Sequence, residues 1–476
     1  MPSVRGEIRI NNASLLFRVQ PRSLANYLWY NKTRIICDQW LVWVSVFSNF
    51  SFAQRLGVVQ TVGEKGYQCE AHLLLNAISA SRLLRLGVID SRLQMTNSYQ
   101  SMANTNLENA KTARNDEFYT QYNDIQKEIN AYLEYDPEVF RGKTVLLPCD
   151  DPEWSNFTKF FAQNFETFGL KKLISTSYAV ESKRIKDWQP TLFETESPYY
   201  DADKSRTHGK IFVLDEDING DGRFNINDLH WSYLKGDGDF RSDEVKALRD
   251  EADIIITNPP FSLFREFLSW IIEAGKKMLI IGNMNAITYK EVFPLIRDNK
   301  LWYGPSITSG DREFMVPESY PIEAAGWRID EKGKKYFRVK GVRWFTNLDH
   351  GRRHEPLPLM TMEDNIIYSK HKEVKAKQYL HYENYDAIDV PYSDAIPSDY
   401  EGLMGVPISF LDKYCPEQFE IIGQTQGDSG KELGLKPYPR ELKKLNPSLR
   451  DGQLYYIDED GIPQKPYARI LIRKKQ

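Results

Sequence analysis

The run Thr257-Asn258-Pro259-Pro260-Phe261 holds the residues best suited to chemistry. Two consecutive prolines neither continue a strand nor enter a helix interior, so the chain must turn rigidly there. The turn fixes an amide side chain, an outward backbone carbonyl and an aromatic ring. That trio suits an amino group carried on a flat ring. Asn258 Oδ1 and the Pro259 carbonyl can both accept from the amino hydrogens, and Phe261 can stack on the ring. Such an amine is a poor nucleophile, because its lone pair is delocalised into the ring. Two acceptors localise that pair and stabilise the positive charge that builds on nitrogen during attack. No strong general base is then required. Asn-Pro-Pro alone could be a purely structural turn. Phe261 and the apolar run before it favour the chemical reading.

A second constellation, Asp217-Ile218-Asn219-Gly220-Asp221-Gly222 with Phe224 and Asp228, has the spacing of a calcium loop. Asp217, Asn219, Asp221 and Asp228 would supply oxygens, and Gly222 would sit at the sharp turn. Asn-Gly-Asp-Gly is equally a β-turn string, so a metal-free turn stands beside calcium as the alternative. An ion there would order a loop and perform no chemistry. Seven scattered His and four scattered Cys offer no zinc site. No P-loop, G-x-S-x-G or H-E-x-x-H is present, so ATP hydrolysis, serine hydrolysis and zinc proteolysis have no support.

The positioning elements alternate. KTVLLP (143–148), KKLISTSY (171–178), KIFVLD (210–215), ADIIIT (252–257) and KMLIIGN (277–283) read as strands. The continuous β-branched run before Asn258 suits a strand buried on both faces. Helices are expected over 155–169, with Ser155 as cap and Gly169 as stop, and over 263–275 and 287–299. Strands alternating with helices predict an α/β chain with a doubly wound, mostly parallel sheet, whose ligands sit at the carboxyl ends of the strands.

The 476 residues carry a net charge of −4, with 41% hydrophobic and 27% charged residues. This soluble balance excludes wholly disordered, collagen-like and multi-span membrane classes. The charge is uneven. Residues 1–101 hold nine Arg and two Lys against five acidic residues, a net of +6, which leaves −10 on the other 375. The most apolar stretch of that first part, Leu41–Phe52, is far short of the ~20 residues that span a bilayer. Residues 1–101 read either as a small N-terminal domain or as poorly structured sequence ahead of a start at Met102. Few, scattered Cys suit a reducing cytoplasm.

The tetrapeptide Asn258–Phe261 is similar to the (D/N/S)-P-P-(Y/F/W) signature of S-adenosylmethionine-dependent amino-methyltransferases. The resemblance continues through Asp116–Gln121, Cys149-Asp150-Asp151-Pro152 with Ser155-Asn156-Phe157, and Gly236–Arg241. It extends to Thr257–Glu266, Ile287–Phe293, Trp344–Leu348, Asn384–Ile388, Gly405–Ile408 and Arg469–Ile472. Over residues 105–476 the chain resembles the EcoRI-type adenine-specific DNA methyltransferase family, the modification half of restriction–modification systems. That resemblance implies a methyltransferase-type fold, residues 102–305 as the catalytic and S-adenosylmethionine-binding domain, and 306–476 as a DNA-recognition region. It implies methyl transfer from S-adenosylmethionine to the adenine amino nitrogen in flipped-out bases of double-stranded DNA. A restriction endonuclease acting on the same site is the implied partner.

Residue by residue, Asn258, Pro259, Pro260 and Phe261 would hold the target base. Phe118 and Tyr119 would close over the methionine end of the cofactor. Asp150 and Asp151 would meet its ammonium or sulfonium, though a helix N-terminal acidic pair is the alternative. Asp239 and Phe240 would hold its adenine. The sequence departs from methyltransferase habit in having PCDDP where a Gly-rich turn is usual. It also has Ser175–Tyr178, then Glu181, where an acidic residue follows the second strand.

DNA needs cations and base-edge donors. Lys332, Lys334, Lys335, Arg338, Lys340 and Arg343 are interleaved with Tyr336, Phe337, Trp344 and Phe345. Arg352, Arg353, His354, Lys370, His371, Lys372, Lys375 and Lys377 follow. Each cluster could also be only a solvated face. Two other functions stay open: methylation of another planar amino or amide group (an RNA base or a protein Gln), and a non-catalytic DNA-binding relic. The basic, aromatic C-terminal region argues against the former, and intact Asn258 and Phe261 against the latter.

Overall fold

The computed structural model describes residues 120–150, 155–179, 192–218, 220–224, 228–308, 311–316, 327–375 and 377–475, with four strands ahead of residue 46. The chain divides into two units, Met1–Met102 and Ala103–Gln476. In the first, β1 (Val4–Ile10), β2 (Ala13–Pro21), β3 (Thr33–Cys37) and β4 (Trp40–Ser45) form an antiparallel sheet in the order β1-β2-β4-β3.

The second unit opens with α1 (Tyr122–Tyr135) and centres on an eight-stranded sheet. Its strands are β5 (Thr144–Leu147), β6 (Lys172–Ser177), β7 (Lys210–Leu214), β8 (His230–Tyr233), β9 (Ile254–Thr257), β10 (Lys277–Asn283), β11 (Trp302–Tyr303) and β15 (Val342–Thr346). The order is β11-β15-β10-β9-β5-β6-β7-β8. The four middle strands, β10, β9, β5 and β6, run parallel. The flanks are antiparallel. Between β6 and β7 the described residues hold only one-turn helices, Leu192–Thr195 and Lys204–Thr207. β7 returns beside β6 in the opposite sense. β15 lies beyond residue 305, so the sheet draws on both sides of that position.

Every residue of β5 and β9 is buried, as expected of strands covered on both faces. Period-two alternation then divides the core. Val145, Leu147, Ile254, Ile256, Leu279 and Ile281 face α1 and the Phe-rich α2 (Asn156–Gln163). Leu146, Ile174, Ile255 and Ile280 face α4 (Phe264–Glu273) and a C-terminal sheet. That sheet is built from β16 (Ile388–Asp389), β17 (Met404–Pro407), β18 (Phe419–Gln424) and β19 (Arg469–Lys474). Each fully buried aliphatic side chain contributes roughly 1.5–3 kcal/mol. A third sheet, β12 (Asp311–Val316), β14 (Lys335–Lys340) and β13 (Trp327–Ile329), is wholly antiparallel. α3 (Asp243–Glu251) precedes β9. Among the described residues no helix is long and apolar enough to cross a membrane.

Two expected helices come out shorter. The segment over 155–169 breaks at Asn164, whose side chain donates to the Phe160 carbonyl at 2.8 Å and competes with helical bonding. Its five Phe remain buried, and Gly169 ends it in the left-handed region. Over 287–299 the helix covers only Phe293–Arg297, where Pro294 sits at the start.

α1 is tied to the chain beyond β11 by a fully buried acid. Glu128 accepts from the Tyr132 hydroxyl and from the Ser306 amide, both at 2.9 Å. Gly304 is glycine because a Cβ there would run into the Glu128 carboxylate. Burial pushes the Glu128 carboxyl from its ordinary 4.5 up to about 7, against the pull of Ser306, Tyr132 and Arg352. The folded state therefore keeps a proton that the unfolded chain releases near 4.5. Its contribution is present below that value, is lost as pH rises to about 7, and then stays lost; its size is on the order of 3 kcal/mol. Glu128→Gln should flatten the fall in melting temperature between pH 4.5 and pH 7 relative to wild type. Parallel curves for the two proteins would reject this account.

Candidate active site

The parallel strands β5, β6 and β9 deliver their carboxyl ends to one edge, where Asp150 ties them together. Asp150 is 5% exposed. One carboxylate oxygen accepts from the Thr257 hydroxyl at 2.6 Å, the other from the Ser155 hydroxyl at 2.7 Å. Ser155 also accepts from the Phe157 amide at 3.1 Å, so it caps α2 while holding Asp150. The Asp150 amide donates to the Thr176 carbonyl at 3.0 Å, and its own carbonyl accepts from the Ser175 hydroxyl. Asp150 thus joins β5, β6, β9 and α2.

Thr257 leads directly into Asn258. Asn258 and Pro259 are buried, while Pro260 and Phe261 are half-buried. Pro260 is extended, and its carbonyl accepts the Leu263 amide at 2.9 Å to start the turn that becomes α4. Gly282 on β10 lets α4 lie close, since a Cβ there would strike the Phe264 ring. The Phe261 ring meets Phe314 of β12 edge to face, with centroids 6.4 Å apart.

The third wall is the loop 236–241. Gly238 has φ +83° and packs on the Ser177 carbonyl at the end of β6, a space no side chain could share. The Ala179 amide donates to the Asp237 carbonyl at 2.7 Å. Asp239 accepts from Arg241 through Nε at 2.9 Å and Nη2 at 2.6 Å. Burial works against its charge, but Arg241, with help from Tyr178, holds the carboxyl below the usual carboxylate range, so it is ionised at neutral pH. Phe240 lies differently from the expectation that it stacks on a ligand. It is 5% exposed and packed against Phe267 at 5.1 Å and Trp270 at 5.6 Å, so its ring is taken up by the core.

Phe118, Tyr119, Asp151 and Asn219 lie outside the described residues. Thr120 is held at α2, its carbonyl accepting from Asn156 at 2.8 Å, and Gln121 donates to the Glu313 carbonyl of β12 at 2.9 Å. The expected calcium loop is closed by its own backbone. Asp217 accepts from the Gly220 amide at 2.8 Å and the Gly222 amide at 2.7 Å, and both glycines are left-handed. Among the described residues, the carboxylates of Asp217, Asp221 and Asp228 are not gathered as ligands. The groups that do gather are Asp215, Glu216 and His230, upstream and across the hairpin. Gly220 and Gly222 turn the chain back onto the Asp217 carboxylate.

The basic clusters need correction too. Arg343 is 4% exposed, paired with Asp412 at 2.7 Å. Arg353 is 7% exposed and lies 3.7 Å over the Trp302 ring. Trp344 and Phe345 are wholly buried. Lys370 and His371 share Asp394, and His354 is held by Asp349 and Glu417. A polar residue inside an apolar strand pattern conceals its inward direction, so none of these pairings had a local signal. Thr257 and Ser155 were missed as Asp150 partners for the same reason. Phe314 was missed because nothing near Phe261 in sequence points to it.

A family model described as adenine-specific methyltransferase EcoRI matches residues 106–475. The chain is 42% identical over 348 residues to Type II methyltransferase M.EcoRI of Escherichia coli, covering 72% of this chain and 98% of that one. It is 33% identical over 372 residues to M.MpnI of Mycoplasma pneumoniae, covering 77% and 97%. It is 32% identical over 370 residues to M.MgeORF184P of Mycoplasma genitalium, covering 77% and 98%. No solved structure matches the chain.

Thr257→Val keeps the shape of the strand end but leaves an Asp150 oxygen without its donor, at a cost of about 1–3 kcal/mol. Thermal melting should show that loss. Unchanged stability would mean the bond does not organise the site. Melting should be identical in calcium and in chelator. A calcium-dependent rise that Asp217→Ala removes would restore the ion.

Proposed function

Because the chain belongs to the EcoRI family of adenine-specific methyltransferases, and so uses S-adenosylmethionine, we propose that it methylates the N6 amino group of adenine in double-stranded DNA, as the modification enzyme of a restriction–modification system. The observation that carries the site assignment is Asn258-Pro259-Pro260-Phe261 standing at the carboxyl end of a buried parallel strand, with Asp150 locking the residue before it. Such strand ends are where open α/β sheets bind ligands.

The donor set suits the cofactor. Its methionine end carries an ammonium and a sulfonium, and the edge presents Asp150 and an ionised Asp239. When bound, S-adenosylmethionine supplies an electrophilic methyl. We assign Asp150 to its cationic end and Asp239 to its hydrogen-bonding groups, with Asp151, Phe118 and Tyr119 retained from the family pattern. Phe240 holds Asp239 in place from the core.

The chain's own residues do the rest. The target adenine has to leave the duplex, at a few kcal/mol of stacking and pairing. Asn258 Oδ1 and the Pro259 carbonyl accept the two amino hydrogens and draw the lone pair back onto nitrogen. Pro260 keeps that carbonyl in a fixed direction, and Phe261 stacks on the base. Burial of Asn258 strengthens both hydrogen bonds as charge develops. The proton lost afterwards leaves a cationic amine and needs no specialised base. The modification reading brings a partner, an endonuclease cutting the same site when unmethylated, and a cytoplasmic place of work beside the DNA.

Incubation with labelled S-adenosylmethionine and unmethylated duplex DNA should place label on adenine. Asn258→Ala should lower kcat at least ~100-fold, with cofactor binding retained by calorimetry. Label confined to RNA or protein would overturn the DNA reading. Full activity in Asn258→Ala would overturn the site.

A further inference from the structure

The antiparallel sheet β12-β14-β13 has an unusual cross-section. At one register Phe314, Phe337 and Trp327 stand directly opposite one another on the three strands. Directly paired residues point to the same face, so these rings form a row. The row starts at the site, because Phe314 is in ring contact with Phe261. It runs outward from a 2% exposed Phe314, through half-buried Phe337, to Trp327 at 42%. Ile329, two residues on and on the same face, is 56% exposed.

The charges sort by face. On the opposite face Arg328 and Arg338 are engaged by Glu313 at 2.8 Å and 3.6 Å. On the Trp327 face Lys335 reaches over the indole, with Nζ 5.7 Å from the ring centroid. Lys332 and Lys334 stand exposed in the β13–β14 turn. Edge strands ordinarily carry charge in place of large apolar groups. An exposed tryptophan and isoleucine rimmed by lysines fit a partner that is both aromatic and anionic, which describes nucleic acid.

Distance agrees with that partner. Neighbouring strands are ~4.8 Å apart, so β13 lies about 10 Å beyond β12, roughly three base steps at ~3.4 Å each. We propose that the β13 edge of this sheet, Trp327 with Ile329 and Lys335, is the enzyme's DNA-stacking edge and lies against the bases beside the one extruded toward Asn258. The proposal rests on reading the Asn258–Phe261 turn as the base-holding turn. Trp327 is a positioning residue: it supports the distorted duplex and touches neither the amino nitrogen nor the methyl donor.

Full-length Trp327→Ala and Trp327→Phe test it on unmethylated plasmid DNA with labelled S-adenosylmethionine. Trp327→Ala should raise KM for DNA roughly 10- to 100-fold, the range of lost base stacking, with unchanged cofactor affinity. Trp327→Phe should recover most of the loss. In binding, plasmid DNA should shield from iodide a quenchable tryptophan that Trp327→Phe lacks. A wild-type KM in Trp327→Ala, or cofactor affinity falling by the same factor, would overturn the proposal. So would a change in oligomeric state, which would make the edge a subunit contact. If the wild-type protein transferred no methyl, the functional reading would fall by itself. Iodide shielding would still decide the edge, supporting it if present and overturning it if absent.

Discussion

The hydrogen bond between the Thr257 hydroxyl and the Asp150 carboxylate organises the carboxyl edge of the parallel strands. It joins the ends of two neighbouring parallel strands, and each of its partners is bonded onward. Asp150 reaches Ser155 and through it the first turn of α2, while its backbone reaches β6. A carboxylate so buried keeps its place because hydroxyls and a cap surround it, and breaking one member leaves a desolvated oxygen. The turn that follows Thr257 inherits its direction from this knot. Two prolines then carry the direction forward without a flexible joint.

The rest of the fold serves that edge from two sides. Alternation along β5, β9 and β10 gives one face to α1 and α2 and the other to α4 and the C-terminal sheet. The chain beyond the Asn258–Phe261 turn packs back against the central sheet. It returns to the central sheet through β15, supplies Phe314 to Phe261, and anchors itself with the buried Arg343–Asp412 pair. Breaking such a pair costs more than forming it gains, so it fixes geometry above all. The Asn258–Phe261 turn and the antiparallel sheet beside it are therefore parts of one packed body.

Much of this was legible from residues alone because it depends on local chemistry. A run of β-branched residues can bury both faces of a strand, and Asn-Pro-Pro-Phe can only turn. The five strands, and the helices after the first and fourth of them, followed from period and punctuation. What misled the reading was polarity without direction. Arg343 and Arg353 stand in a basic stretch and look solvent-facing, yet one lies in a buried ion pair and the other over an indole. Phe240 looked like a stacking platform and is a core ring. The Asp217 loop has the spacing of ion ligands, and its carboxylate is taken by backbone amides.

The sequence by itself determined the parallel core and the rigid turn at its carboxyl edge. Each is set by neighbours within a few positions, where backbone sterics and side-chain type leave little choice. Only the tertiary structure decided which carboxylate holds the turn and which cations stay at the surface. It alone brought an aromatic row from residues 314, 337 and 327 out to an exposed edge. Those facts depend on which side of a strand faces the core and on partners as far apart as Asp150 and Thr257. A one-residue shift in register would reverse them without changing composition.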